Sequence, residues 1–202
     1  MVCILCADIS SADEGVYRDL YERASTDRKR RADRYLRYED KLRCVTADAL
    51  LRIALGTNEF QIEKNEFGKP YVKDRKDFCY NLSHSGHYVV IAWGTKEVGI
   101  DVQKHYTDTD MQMIAERCFT QDEKEYVLKS GCRRAECFYE IWTGKESYVK
   151  GIGKGLCKDM RSFSVLEQKP KIRLLELEEG YSLSFYTLDK KYTFELLDIR
   201  QL

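Results

Sequence analysis

Proline and histidine are scarce in this 202-residue chain, at two and three residues, and no run of glycine and serine interrupts it. With proline only at Pro70 and Pro170, no linker divides the sequence, so any domain boundary must be compact. Net charge is also missing, because 34 Lys+Arg balance 34 Asp+Glu, which excludes a globally basic nucleic-acid binder and the high-charge signature of disorder. Long apolar runs are absent too. The longest, Tyr88 to Gly94, falls well short of the roughly 18 residues of a membrane span. The opening MVCILCADIS has no basic stretch ahead of its apolar run, so no secretory leader is expected. The eight cysteines then read as reduced thiols in a cytoplasm. Cys3 and Cys6 form a lone C-x-x-C with no second pair or histidines at ligand spacing, which argues against structural zinc.

What is present is a core-forming composition: 43% hydrophobic and 12% aromatic residues. Val2 to Ile9 reads as a strand. Ser11 and Glu14 fit a capping box for a helix. Asp27 opens a longer helical region to Leu55, with a Leu42, Val45, Ala49, Ile53 stripe and Gly56 as its stop. Between Phe60 and Val102 the pattern becomes short β-rich runs, FQIEKN, GKPYV, FCYNLSHSG, YVVIAWG and VGIDVQ. Helical periodicity returns in MQMIAERCF, TQDEKEYVLKSG and AECFYEIWTGKESYVKGIG. Strands follow at SFSVL, KIRLLELE, YSLSFYTL and YTFELLDI. Helices then strands occur twice, so the expected fold is α+β, two similar halves over 1–102 and 103–202.

Three segments can carry chemistry. In WTGKESYVKGIGKG, Glu146 and Lys150 are helical i, i+4 neighbours, one turn beyond Trp142, although this spacing alone gives only a surface ion pair. In GID, Gly99 allows close backbone approach and Asp101 ends a β-run, placed like a metal ligand or like an ordinary capping carboxylate. In NLSHSG, a polar turn in a β-rich region, Ser83, His84 and backbone amides can surround a phosphate, against the plainer reading of a β-turn with local hydrogen bonds. Ser83 lacks the G-x-S-x-G elbow of a serine hydrolase. The run RKRRADRYLR can serve a nucleic acid, but Asp27, Asp33, Glu39 and Asp40 dilute it to a solvated helix face.

Taken together, GKP at Gly68, NLSHSG at Asn81, GIDVQ at Gly99, FTQDE at Phe119 and WTGKESYVKGIGKGL at Trp142 resemble, in order and spacing, the 4′-phosphopantetheinyl transferases. Specifically the sequence looks like the monomeric kind, of similar length, that activates peptide and polyketide synthetases. The resemblance implies a pseudo-dimer of α+β halves with the active site in the cleft between them. It also implies transfer of phosphopantetheine from coenzyme A to a serine of an apo acyl or peptidyl carrier protein, with Mg²⁺ on the diphosphate. Asp101 and Glu146 would then hold the metal, with Glu123 as a further acidic contributor. Lys150 would neutralise the reacting phosphate, and Lys69, Ser83 and His84 would contact phosphates. Arg28, Arg31 and Arg43 would surround the coenzyme's 3′-phosphate end. Glu146, directly or through water, is a candidate to accept the serine proton, with Lys150 and His84 stabilising developing charge.

Gln103 departs from the family pattern, since an acidic metal ligand often stands there; its amide can offer one oxygen or leave room for water. Glu123 also completes a T-x-x-E capping box with Thr120, a purely structural use. The competing functions are a non-catalytic coenzyme A or carrier-protein binder on the same scaffold, and a basic-helix RNA-binding module.

Overall fold

A computed structural model describes residues 1–153, 159–167 and 171–202. Six α-helices and nine strands are described, an α+β fold. The strands are β1 (Val2–Asp8), β2 (Ile62–Lys64), β3 (Pro70–Val72), β4 (Cys79–Ser85), β5 (Tyr88–Gly94), β6 (Val98–Lys104), β7 (Ile172–Leu175), β8 (Tyr181–Thr187) and β9 (Tyr192–Asp198). The helices are α1 (Glu14–Arg23), α2 (Thr26–Asp33), α3 (Tyr38–Leu55), α4 (Met111–Cys118), α5 (Gln121–Lys129) and α6 (Arg134–Ile152). Among these residues no helix is long and apolar enough to cross a membrane.

The strands build a four-stranded sheet in the order β4-β5-β1-β9 and a three-stranded antiparallel sheet in the order β6-β8-β7, beside the small β2–β3 hairpin. Strand alternation then creates the layers. Val2, Ile4 and Cys6 of β1 and Tyr88, Val90 and Ala92 of β5 meet Val98, Ile100, Val102, Leu183 and Phe185 in one core between the sheets. The opposite residues, Leu5, Ala7, Val89 and Ile91, pack under α1 and α3. On the far side α5 and α6 bury Phe119, Val127, Phe138 and Ile141 with Ile172 and Tyr186 of the second sheet. Apart from the largely exposed edge strand β9, the sheets are covered on both faces, which explains why their inner strands read as nearly continuous apolar runs.

The two halves interlock. Residue 102 falls inside β6, which belongs wholly to the second sheet, while β9 returns from the C-terminal end to pair in parallel with β1.

Several local readings need correction. The region from Asp27 is two helices, split at residues 34–37 where Leu36 is 99% exposed; Ser25, not Asp27, caps α2 by accepting from Arg28 N. Asp13, not Ser11, caps α1. Because α3 is packed against helices on one side and sheet on the other, its buried face takes in Leu50 and Leu51, whereas Ile53 is 46% exposed. SFSVL is a 3₁₀ turn and irregular chain, not a strand, because Asp159 caps the turn through Arg161 N.

Candidate active site

NLSHSG is not the polar turn its composition suggests. Asn81 through Ser85 lie in β4, and the turn is only Gly86–His87, between paired Ser85 and Tyr88. Gly86 adopts φ +55°, the left-handed region that glycine enters freely, and a side chain here would overlap the Tyr181 hydroxyl. The polar residues of β4 alternate, so Asn81, Ser83 and Ser85 share one face. They accept from β6 backbone amides at the matching alternate positions: Ile100 N to Asn81 Oδ1 at 2.8 Å, Val102 N to Ser83 Oγ at 3.4 Å and Lys104 N to Ser85 Oγ at 3.0 Å. This side-chain ladder satisfies the edge of β6 that β8 leaves unpaired and fixes β6 against the first sheet.

On the next face of β6, Gly99 lies directly against α6. A Cβ on Gly99 would come within 2.8 Å of Gly151 Cα and closer still to Ser147 O, so glycine is what lets strand and helix meet. The contact brings Asp101 of β6 to Lys150 of α6, whose Nζ donates to Asp101 Oδ1 at 2.5 Å. Ser83 Oγ donates to the same oxygen at 2.8 Å, and Lys150 also reaches Ser83 Oγ at 3.3 Å. Asp101 Oδ2 is buried with no hydrogen-bond partner among the described residues, a costly arrangement unless the oxygen has another ligand. Glu146, one turn before Lys150, is half-buried; burial raises its carboxyl above the ordinary value, Lys150 opposes this and Asp101 reinforces it. Two carboxylates and an ammonium therefore share one recess.

Cations gather beside it. His84 reaches solvent, and its pKa is lowered first by partial desolvation and then by the charges of Arg43, Lys150 and Arg31, with Asp40 alone acting upward. The imidazole stands in a positive field that an anion would relieve. Arg43 donates to Gly86 O and to Asp40, and the exposed Arg31 donates to the Tyr35 hydroxyl at 3.3 Å.

Thus Ser83, Asp101, Glu146, Lys150, His84, Arg31 and Arg43 come together. Gln103 lies two residues past Asp101 on the same strand face, half-buried and opposite Ser182. Three expected residues make their contacts outside this group. Arg28 turns inward to the buried Asp48 at 3.5 Å, a carboxylate that Arg52 also holds at 2.7 Å. Lys69 spends its ammonium on Gly151 O at 2.7 Å and Val98 O at 3.3 Å. Glu123 is fully buried, accepting from Thr120 N and Val165 N and pairing with Lys145 at 2.8 Å, so the expected capping box is present. Reading the sequence missed Lys145, hidden within KES, and the ladder residues Asn81 and Ser85, although the N-x-S-x-S alternation was there to be read.

Among the described residues no group of three His, Cys, Asp or Glu side chains forms a closed metal site. The recess nevertheless suits a hard cation that takes few protein oxygens and completes its shell with substrate and water, because the unpartnered Asp101 Oδ2 and the Glu146 carboxylate supply such oxygens.

Comparison with known proteins supplies the remaining finding. Residues 97–197 match the model of the 4′-phosphopantetheinyl transferase superfamily, and residues 17–96 match that of the 4′-phosphopantetheinyl transferase N-terminal region. The 4′-phosphopantetheinyl transferase Sfp of Bacillus subtilis (strain 168) is 32% identical over 180 residues, covering 83% of this chain and 79% of that protein. The transferase gsp of Aneurinibacillus migulanus is 34% identical over 203 residues, covering 90% and 83%. HetI of Nostoc, also named a 4′-phosphopantetheinyl transferase, is 30% identical over 157 residues, covering 72% and 66%.

Proposed function

The chain belongs to the 4′-phosphopantetheinyl transferase superfamily, and from that premise we propose that it moves the phosphopantetheine arm of coenzyme A onto a serine hydroxyl of an apo acyl or peptidyl carrier protein. The other product is adenosine 3′,5′-bisphosphate. The observation that carries this reading is the recess in which the orphaned Asp101 Oδ2, Glu146 and Lys150 sit beside the His84, Arg31 and Arg43 cluster. Phosphoryl transfer asks little covalent chemistry of a protein and much charge neutralisation and positioning, which this set offers.

Asp101 and Glu146 would hold Mg²⁺, with the Gln103 amide oxygen or a water in the position beyond Asp101. Bound there, the ion would neutralise diphosphate charge. The protein's own groups do the rest. Lys150 already faces Asp101 and neutralises the reacting phosphate. His84 donates to a phosphate oxygen, Ser83 does so by turning the hydroxyl that otherwise bonds Asp101, and Arg31 and Arg43 receive the coenzyme's 3′-phosphate end. Glu146 accepts the carrier serine's proton directly or through a water as phosphorus is attacked. Ser83, His84, Arg31, Arg43 and Asp101 come from the 1–102 half, Glu146 and Lys150 from the 103–202 half, so the site lies in the cleft between them. We read the protein as a cytoplasmic monomer that serves no nucleic acid.

Mass spectrometry of apo carriers tests the reading. Incubation with the protein, coenzyme A and Mg²⁺ should add about 340 Da, the phosphopantetheine group, to the carrier serine. The gain should vanish without Mg²⁺ and in Asp101→Ala. No gain on fatty-acid, polyketide or peptide carriers, with coenzyme A still bound, would replace the transferase by a non-catalytic binder and point to Gln103.

A further inference from the structure

The loop from Asn65 to Lys69 joins β2 to β3 in the N-terminal half, yet Asn65 and Lys69 both reach the end of α6 in the C-terminal half. Asn65 organises it: Oδ1 accepts from Phe67 N at 3.0 Å and Lys69 N at 2.8 Å, while Nδ2 donates to Gly153 O at 3.0 Å. Gly68, at φ +86°, allows the chain to turn back. Lys69 then reaches across with Nζ to Gly151 O at 2.7 Å and Val98 O at 3.3 Å. Gly151 O belongs to the last turn of α6, where carbonyls lack intrahelical donors and where the helix dipole favours a cation. Val98 is the first residue of β6.

We infer that Asn65 and Lys69 are positioning residues for the transfer: they cap the C-terminal end of α6 and tie it to the start of β6, holding Glu146 and Lys150 opposite Asp101. The inference rests on the transferase reading above. Lys150 directly precedes Gly151, and Asp101 lies three residues beyond Val98, so the tie sits within one helical turn of one reacting-site residue and on the strand of the other. The seam it closes is the one where Gly99 and Gly151 meet backbone to backbone. A frayed last turn would carry the Lys150 ammonium away from Asp101 directly. Burial pushes the Lys69 ammonium below its ordinary value, with Cys79 and Glu97 pulling back, as befits a cation desolvated onto carbonyls instead of one waiting at a surface. Asn65 shares the task without any charge, which separates this role from phosphate binding.

The test compares Asn65→Ala and Lys69→Met with the parent protein in two ways: kcat and KM for coenzyme A with an apo carrier, and amide hydrogen exchange without coenzyme A. Both variants should lower kcat by about tenfold to a hundredfold, the scale of a misplacement near 1 Å, and leave KM for coenzyme A near the parent value. Both should speed exchange at the amides of 150–153 and leave α3 unchanged. If Lys69→Met raises KM alone while Asn65→Ala is silent, Lys69 is a phosphate contact and the inference falls. Unchanged exchange in the last turn of α6 overturns it equally. A parent protein that transfers nothing refutes the transferase reading separately, and the exchange measurement then decides by itself whether the loop caps α6. Asn65 is exposed, so its variant keeps the test open should Lys69→Met fail to fold.

Discussion

Removing the ammonium of Lys145 should unfold this protein far more readily than removing any exposed charge, and the cost can be worked from its surroundings. Lys145 and Glu123 are both at 0% side-chain exposure, 2.8 Å apart. Lys145 also donates to Met160 O at 2.7 Å and Phe163 O at 2.8 Å, and stands over the Phe163 ring at 4.4 Å. Lys145→Met removes the cation and strands the Glu123 carboxylate among Thr120 N and Val165 N. Breaking one side of a buried pair costs about 3–5 kcal/mol. For a chain of this size that corresponds to a fall of roughly 6–20 °C in Tm. Glu123→Gln leaves Lys145 with its two carbonyls and should cost less, about 1–3 kcal/mol. In the double variant no unpaired charge remains, so the combined loss should be smaller than the sum by about 1–3 kcal/mol. Urea unfolding of the four proteins measures this directly. Losses that add to within about 0.5 kcal/mol would show that the two groups do not act as a pair. Glu123→Gln should also retain transfer in its folded fraction; abolished transfer at undiminished stability would restore Glu123 to the catalytic set and refute the structural assignment.

Glu146→Ala should abolish carrier modification with little change in Tm, because the side chain faces the recess and not the core; near-parental turnover would remove it from the site. Gly99→Ala forces α6 away from β6 by about 1 Å, which should lower kcat up to about a hundredfold and cost about 1–3 kcal/mol in urea unfolding, and parental values of both would disprove the close seam. His84 has a depressed pKa, so its contribution to stability is present above its ordinary value of about 6.5 and is lost as pH falls through the lower folded value. Anion binding should reverse that depression, so calorimetry near pH 6 in buffers of different ionisation enthalpy should record proton uptake with coenzyme A, absent in His84→Gln. Equal heats for the parent after buffer correction would contradict it.

The layers were legible because period-2 and period-3.6 patterns report burial directly: β1, β5, β6 and α6 lie where their apolar spacing put them. The glycine of GID was legible for a physical reason too, since only a missing Cβ lets β6 touch the α6 backbone. What composition could not convey was the partner of each polar group. Asn81, Ser83 and Ser85 have turn-forming chemistry, and only the position of β6 turns them into a ladder. The family resemblance put Lys69 and Arg28 among the coenzyme contacts, and no residue pattern could show that in the fold Lys69 meets main-chain carbonyls and Arg28 meets Asp48. The break between α2 and α3 is likewise tertiary, because the chain turns there so that α2 packs back against α3 while Leu36 stays outside.

A helix lying on a strand has three ways to err: it can stand off, slide along its axis or spin about it. Each is fixed here by a different contact, and none of those contacts uses an atom of the proposed site. Gly99 against Gly151 sets the separation. Lys69 and Asn65 hold the end of α6 and oppose sliding. Lys145 opposes spin, because it neighbours Glu146 in sequence, and its buried pair with Glu123 settles which residue faces inward and which faces Asp101. A buried ion pair adds little net stability over apolar packing, but it punishes a wrong helix rotation by several kcal/mol, about the cost of a stranded charge. That asymmetry accounts for adjacent Lys145 and Glu146 in opposite environments: one charge is buried so that the next is aimed.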